Sequence, residues 1–387
     1  MKIAIVKERR AFERRVAASP DTVKQMKGLG FDVAVEAGAG AGAFLVDSAY
    51  EAAGATIAPD AAAALADADI ILKVQRPEPD ELSLMKKGAV LVGLLAPLEH
   101  KDEVEAYASS GITAISMELV PRITRAQAMD VLSSQANLAG YKAAVDAAAE
   151  FGRAMPMMMT AAGTIKAARV LVMGAGVAGL QAIATARRLG GVVFATDVRA
   201  AAKEQVESLG ANFLMVDEEA MKGAETAGGY AREMGEGFQR RQRQMITDAL
   251  KRIDIVICTA LIPGRKAPIL LTGEMLAALA PGSVVADIAV ESGGNVEGSK
   301  PEETVTTAGG VRIIGYANAP AHIPVDASLL YARNLSAFLP LIVDRENGLK
   351  IDTGDEIIKA ALLTLDGAVV NPALAPSPAP APAPAAG

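Results

Sequence analysis

Between residues 168 and 190 the chain reads ARVLVMGAGVAGLQAIATARRLG: an apolar run, glycines at 174, 176 and 179, then apolar residues at helical spacing. Few backbones accept that order. A strand must enter a turn too tight for side chains and leave it as a helix packed closely on the strand, which is the opening half of a β-α-β unit. The same alternation surrounds it. ARVLVMG, VVFATD, NFLMV, DIVICTAL, SVVADIAV and VRIIGYAN are short apolar runs separated by helix-length segments, and KIAIV, FDVAVEA, ATIA, DIILKV, AVLVGLL and ITAISMEL form a similar series upstream. Two such series predict an α/β protein of two doubly wound parallel sheets, each Rossmann-like, with a cleft between them. The 387 residues suffice for two cores, and 51% hydrophobic residues with only 4% aromatics suit sheets covered on both faces.

The first series ends near residue 120. From about Ser133 to Phe151 the sequence SSQANLAGYKAAVDAAAEF reads as one long connecting helix opened by serine. After Pro324, DASLLYARNLSAFLPLIV again has helical spacing and is expected to return to the first domain. The expected division is therefore residues 1–132 plus about 323–373, then 133–322 as the second domain, with 374–387 an extended Pro/Ala tail. Residues 349–370 are expected to form a modest hairpin.

Several chemistries are excluded at once. The net charge is −7, and no basic patch interleaved with aromatics suits a phosphate backbone, so no nucleic-acid partner is expected. The lone cysteine, Cys258, rules out an intrachain disulfide and a multi-thiolate metal site; no metal is expected, and in DIVICTAL it reads as buried and inert. The longest apolar run, GAVLVGLLAPL, is about half a membrane span. HExxH, GxxxxGK[ST] and GxSxG patterns are missing.

The glycine stretch points to a ligand. Gly174 permits the tight turn, Gly176 lets the backbone approach a pyrophosphate, and Gly179 lets helix and strand pack; the helix N-terminus beginning at Val177 favours the anion. Asp197, ending VVFATD, stands where a carboxylate receives the adenosine ribose hydroxyls and repels a 2′-phosphate. That predicts NAD(H) over NADP(H), with Arg199 the one ambiguity. A rival stretch, EAGAGAGAF at 36–44, lacks a strand-to-helix junction and reads as a connection before a helix capped by Asp47 or Ser48.

Oxidation of an alcohol or amine needs a group to take a proton, and imidazole is scarce: only His100, which reads as a surface residue, and His322, in a loop where a site role is open. Hydride exchange between two nicotinamides needs no such group, but requires a second nucleotide on a second protein, since one complete fingerprint is present.

The motifs KERRAFERRVAASP, KVQRP, MELVPRITRAQAMDVLSSQANLAGY, PMMMTAAGT, ATDVRAAAKEQVESLGA, ETAGGYAREM, TALIPGRKAP and DIAVESGGN, with the glycine stretch, resemble the NAD(H)-binding component of proton-translocating NAD(P)+ transhydrogenase, from the N-terminus to about Ala373. The fold is shared with alanine dehydrogenase, the competing reading; a non-catalytic NAD-sensing module is a third. In alanine dehydrogenases an Arg and a Lys match Arg15 and Lys73, while the catalytic His falls on Leu94 and the Asp on Glu291, which argues against amino-acid oxidation. The transhydrogenase resemblance implies that Arg122, Gln127 and Asp130, with Ser133 nearby, meet the nicotinamide end. It implies that Gly229 and Tyr230 lie in a mobile loop closing over the nucleotide, and that Val177, Val198, Arg199, Gln242 and Leu261 are further contacts. It also implies a homodimer on the cytoplasmic side of the inner membrane, an NADP(H)-binding partner component, a membrane-spanning proton-channel component, and direct hydride transfer coupled to proton flow. By spacing alone, Gln127, Asp130 and Ser133 recur as on one helix face, and the plain alternative is a solvated surface.

Overall fold

The computed structural model describes residues 1–216, 236–262, 264–344 and 348–374. They divide into two compact units. The first comprises Met1–Ala11, Arg15–Val131 and the chain from Ser328 onward; the second comprises Phe12–Arg14 and Leu132–Ala327.

In the first unit six strands, β1 (Lys2–Ile5), β2 (Asp32–Glu36), β3 (Thr56–Ala58), β4 (Ile70–Gln75), β5 (Val90–Leu94) and β6 (Thr113–Ser116), pair in the order β3-β2-β1-β4-β5-β6. Every pairing is parallel. Consecutive residues such as Ile70, Ile71 and Leu72 are buried together, which happens only when helices cover both faces of a sheet. The helices between strands are α1 (Pro20–Gly28), α2 (Asp47–Ala52), α3 (Ala61–Leu65), α4 (Pro79–Ser83) and α5 (Lys101–Ser109). Local chemistry sets their starts: Ser19 and Thr22 form a capping box before α1, with Pro20 in the first turn, and Asp60 caps α3.

In the second unit α6 (Val131–Glu150) leads to a hairpin of β7 (Met158–Thr160) and β8 (Gly163–Ile165). A seven-stranded sheet follows: β9 (Arg169–Met173), β10 (Val192–Thr196), β11 (Asn212–Phe213), β12 (Ile255–Cys258), β13 (Val284–Asp287), β14 (Thr304–Thr306) and β15 (Arg312–Gly315). Its order is β11-β10-β9-β12-β13-β15-β14. All pairings are parallel except β14 on β15, an antiparallel edge that the apolar pattern does not reveal because Thr304 and Thr306 are exposed. Helices α7 (Val177–Arg188) and α8 (Ala202–Ser208) cover the sheet, and the helix Glu236–Leu250 crosses from β11 to β12. Cys258 is buried between these layers, where burial raises its thiol pKa well above the ordinary value.

Three local expectations are corrected. Residues 349–370 are not simply a hairpin: Asp355 accepts from the N–H groups of Ile357 and Ile358 and starts the helix Glu356–Ala361, leaving a short hairpin of β18 (Thr364–Leu365) and β19 (Ala368–Val369); β16 (Val343–Asp344) and β17 (Gly348–Leu349) form a separate pair. Neither Asp47 nor Ser48 caps α2, whose N-cap is Val46; the Asp47 carboxylate instead accepts from Gly38 N–H at 2.9 Å. Gln127, Asp130 and Ser133 do not share one helix. Residues Thr124–Met129 form a 3₁₀ helix, Asp130 leaves helical geometry at ψ 87°, and α6 begins at Val131, two residues before Ser133.

Candidate functional site

In the second unit, β9 delivers the chain into the glycine turn, and each glycine answers a different demand. Gly174 has φ +100°, and a methyl there would lie 2.7 Å from Thr259 Oγ1. A methyl on Gly179 would collide with the carbonyl oxygen of Gly174. Gly176 is under no such internal pressure: a methyl on it meets nothing within 4 Å. It is the N-cap of α7, and no side chain caps that helix. The first-turn N–H groups, beginning near Val177, therefore carry the partial positive charge of a helix start without a side-chain acceptor.

The turn is braced from both neighbouring strands. Gly174 N–H donates to Thr196 O at the end of β10, and Thr259 at the end of β12 donates its hydroxyl to Gly174 O at 3.0 Å. Thr259 was not singled out by the sequence pattern, which shows the glycines but not what they pack against. Asp197 follows β10, with its side chain 7% exposed. One oxygen accepts from Ala175 N–H at 2.8 Å; the other accepts from Arg199 N–H at 2.8 Å, and the Arg199 guanidinium spans both, at 3.0 Å through Nε and 2.9 Å through Nη2. Val198 between them is half-buried. Leu261 is 45% exposed beyond β12, and Gln242 is half-buried on the helix Glu236–Leu250. Gly229 and Tyr230 lie outside the described residues.

Helix α6 packs on α7 at closest approach through Gly140, where a side chain would strike the backbone of Ala178, and Asn137 donates to Gln181. Ser133 precedes Asn137 by one turn on the same face.

In the first unit the segment carrying Arg122, Gln127 and Asp130 is anchored by buried Ala126 and Met129. Gln127 and Arg122 are exposed, and Asp130 is half-buried. Two long-range ties hold the segment. Asn334 donates to Ala128 O at 2.8 Å, and Arg125 grips Asp355 through two nitrogens at 2.7 and 3.0 Å, holding that carboxyl down at about 2.

The positions matching alanine dehydrogenase are otherwise engaged. Lys73 is fully buried, 2.9 Å from Glu81 and 3.5 Å from Glu8. Glu8 also accepts from the N–H groups of Val74 and Gln75, while Arg9 bridges Glu81 at 3.0 Å and Glu36 at 2.6 Å. The five side chains form one buried ionic network in which Lys73 has no direction left for a substrate. Arg15 is also buried. Leu94 ends β5, and the turn after it, with Ala96 at φ +44°, is held by Glu118, whose oxygens accept from Leu95 and Ala96 N–H. Burial pushes the Glu118 carboxyl pKa up. His100 sits at the N-cap of α5, and His322 is paired with Glu302 at 3.0 Å. Glu291 is exposed in the 3₁₀ turn Val290–Ser292. Among the described residues no group of three or more His, Cys, Asp or Glu is arranged to hold a metal, and no helix is long and apolar enough to cross a membrane.

Two family models match: the alanine dehydrogenase/PNT N-terminal domain over residues 4–139 and its C-terminal domain over 143–372. An NAD(P) transhydrogenase subunit alpha protein of Rhodospirillum rubrum is 57% identical over 97% of this chain and 99% of its own length. A solved transhydrogenase structure from Sinorhizobium meliloti is similar with a TM-score of 0.87 and 52% identity, over 96% of this chain and 100% of that one. Alanine dehydrogenase of Bacillus subtilis is 29% identical, over 97% of this chain and 94% of its own. The chain belongs to the alanine dehydrogenase/PNT family, and its high-identity relatives there are NAD(P) transhydrogenase alpha subunits.

Proposed function

We propose that this chain is the NAD(H)-binding subunit of a proton-translocating, Re/Si-specific NAD(P)+ transhydrogenase. The observation that carries the reading is the glycine turn, in which Gly174 and Gly179 are required by the chain's own packing but Gly176 is not. A glycine that no internal contact demands, at an uncapped helix start, suits a diphosphate brought against the backbone. The donor set fits a dinucleotide: the N–H groups near Gly176 and Val177 for the pyrophosphate, and Asp197 with Val198 and Arg199 for the adenosine ribose. A carboxylate at Asp197 repels a 2′-phosphate, which favours NAD(H).

When bound, NADH supplies a hydride, and the residues of this chain orient and enclose it. Arg122 and Gln127 act as donors at the nicotinamide end, with Asp130 and Ser133 setting their direction. Gln242 and Leu261 contribute further contacts, and Gly229 and Tyr230 close over the nucleotide and exclude water. No proton moves in the transfer between nicotinamides, which agrees with Leu94 where the dehydrogenase pattern has histidine. The acceptor, NADP+, is carried by a partner component docked on a homodimer of this chain, and a membrane-spanning component couples the exchange to proton flow. The chain thus acts peripherally, on the cytoplasmic side of the inner membrane.

The test is single-turnover absorbance on the purified chain with and without an NADP(H)-binding transhydrogenase component. Hydride exchange is expected only in the mixture, with negligible NAD-dependent oxidation of alanine by the chain alone. Rapid pyruvate formation from alanine would make it an amino-acid dehydrogenase, and NADH binding without exchange in the mixture would make it a sensing module.

A further inference from the structure

Asn295 is completely buried beyond β13, after two glycines with positive φ, Gly293 at +99° and Gly294 at +79°. Its carboxamide is spent entirely on one neighbouring stretch of backbone. Oδ1 accepts from Ala260 N–H at 3.0 Å, and Nδ2 donates to the carbonyls of Ala260 at 2.9 Å and Pro268 at 2.8 Å. Two carbonyls on one side and an N–H on the other admit a single orientation of the amide. Its backbone is held as firmly: Asn295 N–H donates to Asp287 at 3.0 Å, and its carbonyl accepts from Leu270 and Leu271. Asp287 itself ends β13 and also accepts from Ala289 and Val296 N–H.

Ala260 lies between Thr259, which is hydrogen-bonded to the carbonyl of Gly174, and the exposed Leu261. Asn295 therefore fixes, through two bonds to one residue, the backbone that bears both. The strand order gives this a direction. Asp197 ends β10 on one side of β9, and Thr259 ends β12 on the other, the point at which a dinucleotide lies across a doubly wound sheet with its adenosine toward the acidic strand end. The backbone held by Asn295 is on the opposite, nicotinamide side.

We propose that Asn295 is a positioning residue for the nicotinamide half of the bound dinucleotide, acting through Ala260 on Thr259 and Leu261 without touching the nucleotide. The assignment rests on the NAD(H)-binding reading above. Serine lacks the second arm, aspartate sets oxygen against two carbonyls, and glutamine is a methylene too long, so asparagine is specified by the geometry.

The experiment compares NADH with 5′-AMP, which carries only the adenosine half, by titration calorimetry on the full chain and on Asn295→Ala. NADH is expected to bind about tenfold more weakly to the variant, while 5′-AMP binds within about twofold of the parent. Unchanged NADH affinity overturns the proposal, and so does an equal loss for both ligands, which would mark Asn295 as scaffold only. A parent chain that binds no NADH overturns the underlying reading of the site instead. If Asn295→Ala does not fold, Thr259→Val removes the hydroxyl on Gly174 without changing volume. The same split is expected there, and its failure to appear counts equally against the proposal.

Discussion

The two sheets of this chain have the same strand order: numbered within each unit, both run 3-2-1-4-5-6, and the second adds one antiparallel edge. They differ in what fills the turn after the first strand. In the second unit β9 reaches α7 through three residues, and the backbone there is left without a side-chain cap. In the first unit residues 6–19 separate β1 from α1, and this loop brings Glu8 and Arg9 into a buried network with Glu36, Lys73 and Glu81. One turn offers N–H groups outward; the other is filled by the protein's own charges. Topology alone thus does not make a site, and the contents of equivalent loops decide which sheet takes a ligand.

The sharpest way to break this contrast is Lys73→Met. Removing the cation leaves Glu8 and Glu81 buried without it, and a broken buried pair costs about 3–5 kcal/mol. Denaturant unfolding should show that loss at an unchanged slope, with NADH affinity intact if the second unit binds by itself. A loss below about 1 kcal/mol would mean that the network is dispensable filling. Gly179→Ala tests the other loop. Its methyl must displace the Gly174 carbonyl, with an overpacking cost of about 1–3 kcal/mol and a large loss of NADH affinity; retained affinity would show that the turn's shape is not what binds.

The smallest effect concerns Arg125 and Asp355. Because the Asp355 pKa is depressed in the folded chain, its contribution is fully present above the ordinary carboxylate value of 3.8 and fades as pH falls toward about 2. Arg125→Ala should therefore lower the thermal midpoint slightly at pH 5 and hardly at all at pH 2. A gap that widens in acid would contradict the pairing.

Much of this molecule was legible because it is local. Strand and helix periods, the glycine turn and Asp197 all declare themselves within about thirty residues. What escaped is carried by pairs distant in sequence. Arg125 meets Asp355 across 230 positions, and nothing near either marks the other. Lys73 looks like an available cation in KVQRP until Glu8, 65 residues earlier, and Glu81 are seen against it. The run RITRAQAMD suggested a helix face because a period of three fits both kinds of helix, and only the backbone shows the tighter one. Asp355 was hidden differently: a capping aspartate in DTGDEII also reads as a turn residue.

The end of the described chain has a consequence for how the protein is made. Thr364 donates its hydroxyl to Ile112 O and accepts from Ala114 N–H, and Leu363 N–H donates to Ala114 O, so the far edge of the first sheet is finished by residues some 250 positions later. On a ribosome the six strands of that sheet emerge first, yet they wait for the whole contiguous stretch 132–327 before their last hydrogen bonds become available. The second unit is thus expected to mature before the first, and the order of synthesis is the reverse of the order of completion.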